Sequence, residues 1–338
     1  MNKYKLSIII PCYNCSKTIK RLLDSIVNND LKKEEYEIII VDDNSTDNFL
    51  KLVKPYESKA NINYYQTNVE VHCPGNTRQV GLENAQGEWI LFADNDDEFE
   101  LNVFQKVFNT IKEKQIKYIL STSFTRYVNN NPYHDFSAKF ETNSWLHGKF
   151  YNKQKLKEFN IHFKKDLISH EDLFFNISFI AALSSINEEV VFAPEIYTYK
   201  WNYREDSFSN QLKTNKKLLY IEKYLDEYIY TTSEPYFKYI NDINREWIKE
   251  QICITMLMGY FYYQAGIYRI GSEYPKNNLI VLFNLKQKIN KELQVTDDML
   301  IQYIYSKPEL YNKYKEDIFN AGLFFIEIQS FRDFIINL

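Results

Sequence analysis

An alternation in the first hundred residues constrains this chain most. Unbroken apolar runs, Leu6–Ile10, Tyr36–Val41 ("YEIIIV") and Glu88–Ala93 ("EWILFA"), are separated by segments with helical spacing. A strand without polar alternation must be covered on both faces, as in a parallel sheet flanked by helices. Ile19, Leu22, Leu23 and Ile26 share one face of a helix predicted within Ser16–Val27. A second helix is predicted to about Tyr56, capped by Asp43 or Ser45. Ile62–Gln66 reads as a shorter strand. Asn76–Ala85 reads as a helix with Gly87 as its stop signal. The pattern predicts an α/β domain whose ligands lie beyond the carboxyl ends of the strands. Three polar clusters fall there: "PCYN", "DDNSTD" and "DNDD".

After Phe99 the pattern loosens. Leu101–Ile111 reads as a helix and Ile116–Thr122 as a strand. Residues 123–150 read as loop-rich, with Asn129–Asn131 and Pro132 as breakers. Helices are expected at Asn152–Phe159 and Asp172–Ala182, and short strands at Val190–Phe192 and Ile196–Trp201. From about Leu212 the chain reads as mostly helical and aromatic-rich. A boundary near 206–216 divides a domain of residues 1–210 from one of residues 211–338. The uncharged stretch Gln251–Tyr268 approaches bilayer-spanning length, but its Gln, Thr, Gly and Tyr residues favour a buried helix over an interfacial one.

A net charge of −4 and a pI near 5.9 lack the basic surplus of a phosphate-backbone binder, which argues against nucleic acid as partner. The N-terminal apolar run is too short for a signal peptide. Four cysteines in 338 residues do not make a disulfide framework, and Cys12-x-x-Cys15 has no second pair for a metal site. These features suit a reducing, cytoplasmic compartment.

The acidic cluster "FADNDDEF" offers oxygen donors at Asp94, Asn95 and Asp96, which suits Mg²⁺ or Mn²⁺ with a phosphate substrate. The bland alternative is a solvated acidic loop before a helix. Asp42 and Asp43 in "VDDNSTDN" suit a base or a ribose, but taken alone a helix cap by Asp43, Ser45 or Asp47 is the favoured reading. In "CPGNTRQVG", a helix N-terminus with Arg78 in its first turn suits a diphosphate, against an ordinary surface ion pair. In "LISHEDLFFN" a carboxylate opening a helix suits proton abstraction from a hydroxyl; a capped helix start is the alternative.

In order, "SIIIPCYN", "IIIVDDNSTD", "GNTRQVGLENAQGEWILFADNDDEF" and "HEDLFFN" resemble the inverting GT-A glycosyltransferases of family 2. The likeness is close over the first hundred residues and looser to about Ser209. It implies a GT-A, Rossmann-like catalytic domain; residues 211–338 lie outside the resemblance and are expected, from their helical pattern, to form a mainly helical accessory domain for acceptor binding or oligomerisation. The resemblance also implies metal-dependent, inverting transfer of a hexosyl or N-acetylhexosaminyl group. The donor would be a nucleotide-sugar, in the commonest case a UDP-sugar, and the acceptor a glycan or other hydroxyl. By the resemblance Pro11, Tyr13 and Asn14 hold the nucleotide and Asp43 the uracil edge. Arg78 reaches the uracil or the diphosphate, Asp94 the ribose with Asn95 beside it, and Asp96 the divalent cation, Mn²⁺ or Mg²⁺. Asp97 faces the donor sugar. Asp172 is the general base and Glu171 orients it or the acceptor. Lys200, Trp201, Arg204, Ser207 and Ser209 of "YTYKWNYREDSFSN" are candidates for the diphosphate, with an edge strand and loop as the equal alternative. Trp145, His147 and His170 are acceptor-side candidates. The C-terminal aromatic residues would serve a core, a homo-oligomer contact, or a peripheral contact at the inner face of a membrane. Two other activities compete. A sugar-1-phosphate nucleotidyltransferase would need a glycine-rich loop that "PCYNCSKT" lacks. A non-catalytic nucleotide-sugar- or glycan-binding module would be expected to have lost an acid or the arginine.

Overall fold

The computed structural model describes residues 2–67, 73–139, 144–165, 167, 169–205, 218–270, 277–309, 311–312 and 328–338. The chain forms two compact units, Met1–Leu183 with Glu188–Asn210, and Ser184–Asn187 with Gln211–Leu338.

In the first unit β1 (Tyr4–Cys12), β2 (Tyr36–Asp42), β3 (Asn61–Gln66) and β4 (Gly87–Phe92) are parallel, in the order β3-β2-β1-β4. Their apolar runs are buried: Ile8, Ile9 and Ile10 in β1, and Ile38, Ile39 and Ile40 in β2, are all 0% exposed. Between them lie α1 (Ile19–Val27), α2 (Phe49–Val53) and α3 (Pro74–Asn84). Ile19, Leu22, Leu23 and Ile26 face the core as the spacing predicted.

Past β4 the parallel rule ends. The next elements are β5 (Glu98–Phe99), α4 (Phe104–Glu113), β6 (Ile119–Val128), β7 (Asn131–Phe136) and β8 (Lys149–Asn152). They are followed by α5 (Lys153–Glu158), α6 (Glu171–Ser184) and β9 (Val191–Asn202). β8 inserts antiparallel between β4 and β6, and β9 joins β6 to β5, making one mixed sheet. Residues 123–150 are therefore less loop-rich than the sequence suggested. Asn129 (φ 51°) and Asn130 (φ 62°) form the two-residue turn of a β6–β7 hairpin. Asparagine tolerates that left-handed backbone, so the breakers are hairpin residues. The two short strands predicted near Val190 and Ile196 are one strand, β9. Its pairing with β6 shifts register where Pro194 interrupts it.

Gly87 is not a helix stop either. It opens β4 beside β1, where a Cβ would lie 2.5 Å from the Ser7 backbone nitrogen and 2.7 Å from the Leu6 carbonyl carbon. Gly87→Ala is expected to cost about 1–3 kcal/mol by overpacking. Urea unfolding of this variant checks it, and an unchanged midpoint would refute the close approach.

The second unit is helical: α7 (Leu218–Tyr239), α8 (Arg245–Ile270), α9 (Asn277–Lys288), α10 (Asp297–Tyr305) and α11 (Ile328–Asn337). The uncharged stretch lies in α8, with Ile252, Met256, Leu257, Tyr260 and Phe261 buried. Tyr260 packs against Phe331 and Phe334 of α11, so the aromatic content here is core. No helix among the described residues is long and apolar enough to cross a membrane.

Candidate active site

The site is built where β4 ends and where α3 and α6 begin. α3 carries Arg78 in its first two turns, and α6 opens with Glu171 and Asp172. His170, at φ +62°, turns the chain into α6. Gly75 permits this approach, since a Cβ there would lie 3.0 Å from Glu171 Cβ.

Arg78 gathers these elements. Only 4% exposed, its Nη2 donates to Asp94 Oδ1 at 2.6 Å. Its Nη1 donates to Glu171 Oε1 at 3.0 Å and to Asp172 Oδ1 at 2.9 Å. Burial works against the guanidinium charge, but Asp172, Asp94 and Glu171 outweigh it and raise its pKa. The carboxylates divide in response. Burial opposes the Asp94 charge, yet the Arg78 guanidinium beside it holds its pKa low. Asp172 is pushed up to about 8 by burial and by its acidic neighbours, against Arg78 and Lys149. Burial also raises Glu171. A buried carboxyl held this high is suited to receive a proton.

Beside this cluster, one ligand atom each from Asp94, Asp97 and His147 lie within 4.8 Å of one another. Two carboxylates with an imidazole suit Mn²⁺, and the carboxylates alone suit Mg²⁺. Asp96 stands at the rim, with Oδ2 3.2 Å from Arg204 Nη1, and burial plus repulsion from Asp94 raise it to about 6. The Arg21 guanidinium donates to the Asp96 carbonyl. Crowded acids of this kind are relieved by a divalent cation.

Other candidates hold the frame. Asp97, read from the sequence as facing the donor sugar, is 1% exposed and uses both oxygens inside the fold. It accepts from Tyr199 OH at 2.8 Å and from Asn202 N at 2.7 Å. Asn95 donates to the Pro11 carbonyl at 2.9 Å and accepts from Thr18 Oγ1 at 3.1 Å, tying the acidic loop to the end of β1. Asn14 Oδ1 accepts from the backbone of Thr46 at 2.8 Å and of Asp47 at 3.2 Å. Asp42 Oδ1 accepts from Ser45 N at 2.9 Å. Neither Asp43 nor Ser45 caps α2, which begins after Asn48 with no side-chain cap. Asp43 is buried and accepts from Thr67 Oγ1 at 2.5 Å, while Tyr13 is 59% exposed at the same strand-end edge.

His147 stacks on Tyr199 at 4.7 Å between ring centroids, and burial lowers its pKa to about 4, so it is a neutral donor at pH 7. Trp145 packs edge-on against Phe124 and Phe136. The His170 ring bonds Ser169 Oγ at 3.0 Å, and burial lowers its pKa to about 4. Ser207 and Ser209 lie outside the described residues. Cys12 and Cys15 are buried free thiols.

Two residues were missed from the sequence. Tyr199 OH accepts from Asp94 N at 2.9 Å while donating to Asp97, so it locks the acidic loop onto β9. Among 28 tyrosines nothing marked it. Lys149 is 1% exposed and donates to the Trp145 carbonyl at 2.6 Å; burial lowers its pKa to about 7, against the pull of Asp172. Its signal was a lone charge inside "HGKFY".

Residues 7–170 match the family model described as Glycosyl transferase family 2. Poly(ribitol-phosphate) beta-N-acetylglucosaminyltransferase TarS of Staphylococcus aureus is 30% identical over 204 residues, covering 58% of this chain and 35% of the relative. Poly(ribitol-phosphate) beta-glucosyltransferase of Bacillus spizizenii is 41% identical over 112 residues, 33% of this chain and 18% of the relative. The chain thus matches about a third or less of each of these proteins. The solved structure of S. aureus TarS 1–349 in complex with UDP-GlcNAc superposes with a TM-score of 0.68 at 20% identity. It covers 95% of this chain and 93% of that one, a likeness of fold across both units. The match over residues 7–170, which form the greater part of a GT-A domain with a mixed sheet, places that stretch of the chain in glycosyl transferase family 2.

Proposed function

We propose that this chain transfers a glucosyl or N-acetylglucosaminyl group from a UDP-sugar to a hydroxyl of a polyol-phosphate chain, with inversion. The observation that carries this is the Arg78 clamp, which sets Asp172 beside Asp94. The names of the relatives supply the substrate classes.

In this reading the nucleotide lies along the strand-end edge, with Asp43 and Tyr13 at the base and Arg204 toward the diphosphate. Asp172 takes the proton of the acceptor hydroxyl as that oxygen attacks the anomeric carbon and the bond to UDP breaks. One displacement inverts the configuration. Arg78, itself bonded to Glu171, holds Asp172 in place. Asp94 and Asp96 would hold a divalent cation, with Asp97 and His147 closing the set behind Asp94. When bound, the cation stabilises charge on the departing diphosphate. The helical unit serves as an accessory domain for the acceptor side or for self-association, and the enzyme works in the cytoplasm or at the inner membrane face.

The test is UDP release from UDP-glucose and UDP-GlcNAc with Mn²⁺ and a ribitol-phosphate oligomer, with the product anomer read by NMR. A β-linked product is expected from an α-configured donor; a retained anomer would refute single displacement. EDTA is expected to lower turnover by about 100-fold or more, restored by Mn²⁺. Turnover indifferent to EDTA would overturn the cation assignment.

A further inference from the structure

Arg126 is a half-buried cation with no ion pair among the described residues. It lies on β6, two residues after Phe124 and so on the same face of the sheet. Its guanidinium carbon sits 4.8 Å from the ring centroid of Trp201, 4.8 Å from that of Tyr203 and 5.8 Å from that of Tyr133. Its Nε is enclosed without a hydrogen-bond partner, and among the described residues it has no carboxylate within ion-pair distance. Arg78 and Arg204, by contrast, are both ion-paired. The nearest acid in sequence, Asp135, accepts instead from Thr125 Oγ1 at 2.7 Å.

Rings around a guanidinium hold it by cation–π attraction and leave its in-plane N–H edge for another partner. Rings also connect Arg126 to the active site. His147, beside Asp94, lies 5.7 Å from Trp201, which in turn faces Arg126. Tyr133, at the outer end, is 70% exposed.

We propose that Arg126, framed by Tyr133, Trp201 and Tyr203, is an acceptor subsite that takes a phosphodiester of a polyol-phosphate chain. The proposal rests on the polyol-phosphate reading above. A planar fork of N–H donors matches the two non-bridging oxygens of a phosphodiester, and ring faces suit the C–H faces of the adjoining polyol. A pre-fixed guanidinium also loses little freedom on binding. A neutral glycan would leave this cation without a partner, and a free nucleotide would have no use for the outward-running rings.

The test is calorimetric binding of a synthetic ribitol-phosphate hexamer to the full chain and to Arg126→Gln, Arg126→Lys and Tyr133→Ala. Arg126→Gln is expected to weaken binding by about tenfold or more, the scale of one lost charge-assisted contact. Arg126→Lys keeps the charge without the fork and is expected to recover part of the loss. Tyr133→Ala is expected to weaken binding a few-fold, and it decides the matter if Arg126→Gln does not fold. Raising salt is expected to narrow the gap between the wild-type chain and Arg126→Gln. Equal binding by all variants, or no binding by the wild-type chain, overturns the subsite. UDP–Mn²⁺ binding to the wild-type chain in the same preparation reports separately on the transferase reading.

Discussion

Asp172→Asn is expected to lower transfer by about 10²–10⁴-fold, the usual contribution of a positioned general base. An amide keeps the hydrogen bond to Arg78 but cannot take a proton. The same variant is expected to be no less stable than the parent. Arg78 faces three carboxylates, so neutralising one cuts the surplus of negative charge from two to one and leaves the guanidinium paired. Linkage gives the sign. An unfolded aspartate titrates near 3.9, whereas Asp172 in the fold is held at about 8. Between those values the folded state binds the extra proton, so stability falls as pH rises from about 4 to about 8. Removing the group should flatten that slope and raise stability at pH 8 by on the order of 1 kcal/mol. Denaturant midpoints at pH 5 and pH 8 check this; an equal pH slope in both proteins would refute it. In the parent, kcat/KM is expected to rise with pH toward about 8, since the base acts only when deprotonated. That apparent value belongs to the Arg78-linked set of acids rather than to one carboxyl.

Arg78→Ala is expected to act in the opposite way, damaging fold and function together. It would leave Asp94, Glu171 and Asp172 around a site without the cation that holds them. Breaking a buried ionic set by removing one partner costs about 3–5 kcal/mol. Arg78→Lys is expected to remain impaired, because one ammonium cannot reproduce three contacts made from two nitrogens of a planar fork. Thermal unfolding checks the first effect and UDP release the second. An Arg78→Ala protein with an unchanged midpoint would mean that protonation alone relieves the carboxylates. Mn²⁺ should recover part of the lost stability if it occupies the acidic site.

β1, β2 and β4 were legible because a continuous apolar run has few alternatives. Ile8–Ile10 and Ile38–Ile40 can be satisfied only by cover on both faces. The acids at the strand ends were legible for the same reason, since a parallel sheet places those ends on one edge. Legibility failed after β4. β8 is four residues long and antiparallel, and its neighbours are set by pairing with β4 and β6 across long sequence separations. Asn129 and Asn130 read as breakers because sequence marks a turn without saying whether strands pair across it. By residue type Asp94, Asp96 and Asp97 are three like acids with the amide Asn95 between them. Their burial and partners divide them into an Arg78-bound carboxylate, a loop brace, a rim carboxylate and a buried tether to β9.

The sequence by itself determined the covered parallel half-sheet, the strand-end edge and the identity of the charged groups on it, because periodicity and residue chemistry are local properties. The tertiary structure alone decided that Arg78 meets Asp172 across 94 residues, that Tyr199 fixes Asp94 across 105, and that Arg126 lies among rings from β7 and β9. Such contacts depend on strand order, register and burial, which are properties of the assembled sheet. Burial then converts acids of similar intrinsic strength into groups with different charge and different work.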